Sequence, residues 1–272
     1  MLVLFILAAL GYGAATFAYG SRPEDRSHAN SEEPADEGLA RYGRLMLAIS
    51  AVLHTLAIGA QCVDGDHPLK NIFLATSFGA LIAVGGYLLL SRGRQLEALG
   101  PVMAPIGLIG LVLGVVFSSA GAQPEVPGGT GVASAHVGFA SAGLAGFTLA
   151  AGIAILYLAM ERRLRRKVFR PGKGGMSLQG LDRLHHRLVL LVTPVFTLAI
   201  VTGVLWIIDA GGLSGLSGRV FEVAAAMVAW AASVALLITR AVWGMRGRRS
   251  AWLTLLAFAA MVLIVVSYGV RT

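Results

Sequence analysis

This 272-residue chain has one cysteine, few charges, and no polar stretch long enough to fold as a soluble domain. Cys62, standing alone, excludes an internal disulfide, a CxxC redox pair and a thiolate metal cluster. Asp, Glu, Lys and Arg together supply 13% of the residues, about half the share usual in soluble domains. The HExxH, Walker A and GxSxG signatures are absent, and no pair of carboxylates falls inside an apolar run. Zinc proteolysis, P-loop nucleotide hydrolysis and α/β-hydrolase chemistry are therefore excluded. No catalytic residue is assigned, and the chain reads as non-enzymatic.

What is present is apolar: 56% of residues are hydrophobic and the mean hydropathy is +0.76. The apolar residues form continuous runs without the period-two alternation of a membrane barrel. A run of about 20 such residues crosses the hydrocarbon core as a helix, the conformation that satisfies its own backbone there. The expected fold class is all-α, a polytopic membrane bundle of about eight helices forming a single domain. The spans are placed at 2–20, 45–63, 71–91, 101–120, 134–160, 186–208, 220–242 and 251–270. Acidic residues follow the first span and no basic segment precedes it, so it is expected to be a retained helix.

The formal charge of +8 follows the membrane rather than a nucleic acid. Four Lys/Arg lie in 21–44, two in 92–100, nine in 161–187 and four in 240–249. The alternate loops and C-terminus hold Lys70, Arg219 and Arg271. The positive-inside rule places the basic loops in the cytoplasm of a bacterial inner membrane, with both termini outside. Membrane lipids are expected partners, with anionic headgroups at the basic loop after the fifth span. Residues 21–44 read as a flexible cytoplasmic linker. The fifth helix is expected to extend through the arginines after Glu161 and then break near Pro171. Gly138, Ala142 and Gly146, and separately Gly110 and Gly114, form stripes suited to close helix packing.

Ionisable groups inside apolar runs are costly and therefore informative. His54 lies near the middle of the second span and His136 just inside the external end of the fifth. His67 sits in a short external loop. His185 and His186 read as interfacial anchors, and Arg240 as a side chain that snorkels to the surface. For His54, a helix-to-helix hydrogen bond and a ligand or relay role both stay open. Histidine ligation of heme also stays open, because one neutral imidazole suffices as a proximal ligand.

Several segments occur in a distinctive order. Leu53-His54-Thr55-Leu56 is followed by His67-Pro68-Leu69-Lys70-Asn71, and Ala135-His136-Val137 opens the fifth span. Leu181-Asp182-Arg183-Leu184 leads into a span ending Thr202-Gly203-Val204-Leu205-Trp206, and Trp243 to Arg249 with Trp252 precedes the last helix. This order resembles the membrane-integral cytochrome c assembly family, which includes CcsA (ResC), CcmC and HemX. The resemblance implies a heme-associated protein acting in cytochrome c maturation or heme supply, with another assembly protein as partner. It implies His136 as a ligand to heme iron, with His54 and His67 as further candidates. Residues 207–215 lack the tryptophan-rich segment of the heme-delivering branch, and Arg240 stands where that branch has a histidine. These departures bring the chain nearest the HemX-like branch. The alternatives are a b-type heme electron-transfer subunit and a scaffold without heme.

The topology is testable with reporter fusions at Lys173 and Gly128, which should report cytoplasm and exterior respectively. A shared side for the two reporters would contradict the eight-span count.

Overall fold

The computed structural model describes residues 2–21, 33–64, 67–69, 72–91, 96–118, 131–166, 177–209 and 219–271. Among them are eight α-helices and no strand: α1 Leu2–Gly20, α2 Glu33–Val63, α3 Ile72–Leu90, α4 Gly100–Ser118, α5 Gly131–Arg165, α6 Leu178–Asp209, α7 Val220–Trp243 and α8 Arg248–Arg271. All eight contain a stretch long and apolar enough to cross a membrane. Lys70, Asn71, Gly128, Pro171, Lys173 and residues 210–215 lie outside the described residues.

Two helices begin earlier than hydropathy indicates. The second starts at Glu33, so the linker expected over 21–44 gives way to helix over its last twelve positions. Pro34 suits a first helical turn, and acidic residues nearby in sequence favour the positive end of a helix dipole. The sixth starts at Leu178 rather than 186, and Ser177 Oγ accepts a hydrogen bond from Gly180 N at 3.1 Å, as a capping serine does. The fifth helix does extend through the arginines, to Arg165.

Helix α5 is central. It packs against α3, α6 and α8, while α1 packs against α2 and α4, and α7 against α8. Its residues enter both main apolar clusters. Ala145, Leu149 and Ile153 join Tyr12, Leu47, Tyr87 and Met103, whereas Phe147 joins Val192, Phe196, Ala229 and Met261. The small-residue stripes set close approaches. A Cβ at Gly146 would overlap Val192 on α6, and one at Gly110 would overlap Ala80 on α3. Gly138 differs, meeting only Leu69 at van der Waals distance.

Polar side chains pin the helices together. His54 on α2 is fully buried, with Nδ1 3.3 Å from the Tyr12 hydroxyl on α1 and Nε2 2.9 Å from Ser77 Oγ on α3. A neutral imidazole offers one donor and one acceptor, so these two contacts use both nitrogens. At the opposite end of the bundle from His136, Asp182 accepts from both terminal guanidinium nitrogens of Arg240, at 3.2 and 2.9 Å. It also accepts from the backbone of Gly247 at 3.0 Å. Arg240 thus fastens α7 to α6 instead of snorkelling to the surface. His185 is buried as well. Thr254 gives its hydroxyl proton to the Ser250 carbonyl, so His185 Nε2–H donates to Thr254 Oγ1 at 2.8 Å. It ties α6 to α8 and is not the interfacial anchor expected from its neighbours.

Hydrogen bonds between membrane helices contribute about 0.6 kcal/mol each. His54→Gln should therefore keep more assembled protein than His54→Leu, with the leucine variant only modestly less stable, as read from thermal unfolding in detergent. Severe loss of function in both variants at normal protein levels would contradict a packing role for His54.

Candidate functional site

A cavity of about 290 Å³ opens at the end of the bundle where α5 and α7 begin and α6 and α8 finish. That volume is near the lower bound of small-molecule pockets. Its walls are mainly apolar: Ala140, Leu144, Phe196, Ile200, Val223 and Met261 are among them. Val204 on α6 and Met227 on α7 also line it and are 51% and 43% exposed. In a membrane-spanning bundle, the side between these two helices therefore faces lipid.

The polar groups of the cavity are few and ordered. His136 is half-buried on its wall. A backbone carbonyl can only accept, so the 2.8 Å contact from His136 Nδ1 to Ala199 O fixes the proton on Nδ1. Nε2 then carries a lone pair, and the ring's hydrogen bond among the described residues is made by Nδ1. Gly203 makes room for the ring, since a Cβ there would come within 2.8 Å of His136 Cε1 and 2.9 Å of Nδ1. The Trp206 ring lies 5.9 Å from the imidazole centroid at an interplanar angle of 32°. The Arg219 guanidinium sits 5.2 Å over the same indole, within cation–π range. Trp206 Nε1 is buried with no acceptor among the described residues. Across the cavity, Glu222 is buried, and its Oε1 accepts from the Ser267 hydroxyl at 3.2 Å.

Of the three candidate histidines, His136 alone lines this cavity. His54 is held between Tyr12 and Ser77. His67 is exposed, and its Nδ1 accepts from Leu69 N at 3.2 Å. The arrangement thus does not set two histidines across a shared cavity. In the sequence Trp206 stands out only as part of a motif and Arg219 only as a topological charge, and Glu222 carries no signal of its own. The signal that pointed to the site was Thr202-Gly203-Val204-Leu205-Trp206. In a helix, residues three apart share a face, which puts Gly203 beside the imidazole and Trp206 in the same column.

The chemistry available is that of an amphipathic site. It combines one imidazole lone pair for a metal or proton, an indole N–H and a guanidinium for an anionic group, and apolar walls for a hydrophobic body. Among the described residues no group of three or more His, Cys, Asp or Glu gathers to hold a bare metal ion.

A model of the cytochrome C assembly protein family matches residues 69–272, a range that contains His136, Gly203, Trp206, Arg219 and Glu222. No curated protein and no solved structure matches the chain. With three-quarters of its length covered by that match and eight helices fit to cross a bilayer, this multi-pass membrane protein belongs to the cytochrome c assembly protein family, which supports a role in cytochrome c maturation.

Proposed function

We propose that the protein holds heme transiently at the His136 cavity, as cargo for cytochrome c maturation or heme supply, in the manner of the HemX-like branch. The membrane would be the bacterial cytoplasmic membrane, with this end of the bundle outside. The observation that carries the reading is the His136 Nδ1–H bond to the Ala199 carbonyl. A histidine ligand whose second nitrogen donates to a carbonyl has its ring oriented and its basicity raised. His136 Nε2 is thereby prepared to coordinate iron. The Trp206 Nε1–H and the Arg219 guanidinium suit the carboxylates of the porphyrin, and the apolar walls suit its ring. Arg240, where the heme-delivering branch has histidine, is paired with Asp182 at the opposite end of the bundle, so that position supplies no second imidazole. Cargo held by one imidazole is released more readily than a cofactor held by two. Another membrane assembly protein would receive it.

The reading is tested by titrating heme into the purified protein in detergent. Wild type should bind with a weak five-coordinate spectrum. His136→Ala should abolish that spectrum, and Gly203→Ala, which crowds the imidazole, should weaken binding by about tenfold, or roughly 1.4 kcal/mol. His67→Ala should leave affinity and spectrum unchanged. Unchanged binding in His136→Ala would sink the assignment. A strong six-coordinate low-spin spectrum would favour an electron-transfer subunit, and no binding at all a scaffold without heme.

A further inference from the structure

At the opposite end of the bundle, the close of α5 and the start of α8 form a second cleft of about 150 Å³. It is lined by Leu158, Glu161, Arg162, Arg165, Arg248 and Trp252. Three guanidinium groups face one carboxylate. That carboxylate is already engaged: Arg165 donates to Glu161 Oε1 through Nε at 3.0 Å and Nη2 at 2.8 Å. Arg162 and Arg248 have no ion-pair partner among the described residues.

The dipole of α8 adds to this excess. A helix N-terminus carries partial positive charge and is normally accompanied by acidic residues. The first turn of α8 has none and begins instead with Arg248 and Arg249. Arg248 stands beside the arginines of α5, and the carboxylate that lines the cleft, Glu161, is already paired with Arg165. Guanidinium pairs are well matched to phosphate oxygens. The rest of the lining is apolar: Leu158 is buried, and Trp252 is 49% exposed. An indole beside arginines is the arrangement of a membrane–water boundary. A free phosphate has no use for that apolar side, whereas the glycerol and upper acyl chain of a lipid do.

We propose that this cleft binds the phosphate of an anionic phospholipid, with Arg162 and Arg248 as the principal contacts and Trp252 against the glycerol. The bound lipid neutralises the junction of α5 and α8 and thereby braces the central helix of the bundle. This site is separate from the His136 cavity and does not depend on the function proposed for it.

The test uses the full-length protein in detergent, with bound lipid counted by native mass spectrometry. Phosphatidylglycerol, phosphatidylcholine and inorganic phosphate are the probes. Wild type should retain phosphatidylglycerol in preference to phosphatidylcholine, and inorganic phosphate should not displace it. The double variant Arg162→Gln/Arg248→Gln should lose about tenfold in affinity or more, as loss of two charge-assisted contacts to the phosphate implies. A control pair, Arg166→Gln/Arg249→Gln, removes the same charge from side chains that do not line the cleft and should stay within about twofold of wild type, as exposed and screened charges contribute little. Equal loss in the two double variants would reduce the effect to general surface charge and overturn the site. Equal retention of phosphatidylcholine, or displacement by inorganic phosphate, would overturn the assignment to an anionic lipid.

Discussion

Inside a bilayer a polar group that lacks a partner in the protein has no water to turn to, and this constraint decides what each buried histidine can do. His54 meets it with both nitrogens, between α1 and α3, and becomes a tie among three helices. His136 meets it with one. Its Nδ1–H is taken by the Ala199 carbonyl, and its other nitrogen belongs to a cavity rather than to a neighbouring helix. The packing that allows this is local. Gly203 leaves the space the ring occupies, and Trp206, three residues further along α6, closes the same face.

The two ends of the bundle solve their charge problems differently. At the basic end, Asp182 gathers Arg240 and the Gly247 amide into one knot, with side chains only 11% and 12% exposed for the ion pair. Removing one member of such a pair costs about 3–5 kcal/mol because the other charge stays buried. At the end that holds His136, Arg219 is stacked on Trp206, and its charge stays available beside the cavity. Fixed charge therefore braces the helices at one end, while at the other the Arg219 guanidinium rests on an indole at the cavity wall.

The helices were largely legible in the sequence because hydrocarbon imposes a length and a composition on anything that crosses it. Where a helix runs on into water that pressure ends, and the early starts of α2 at Glu33 and α6 at Leu178 left no apolar signature. The roles of His185 and Arg240 were misjudged for a related reason. His185 lies beside other charges in sequence and Arg240 at the end of an apolar run, yet their partners, Thr254 and Asp182, are 69 and 58 residues away. His136 was reached through the order of motifs, not through periodicity. The rest of its site escaped notice because Arg219 and Glu222 come from α7, and hydropathy does not say which helices share a cavity.

The central claim is that His136 is a neutral imidazole with its proton on Nδ1 and its lone pair on Nε2. It is tested most directly by 15N NMR of histidine-labelled full-length protein, with His136 assigned by difference from His136→Gln. The account predicts a protonated Nδ1, an unprotonated Nε2, and a heme-dependent change that, among the histidines, falls on the His136 ring. A proton on Nε2, or a heme response at another histidine with His136 unmoved, would contradict it.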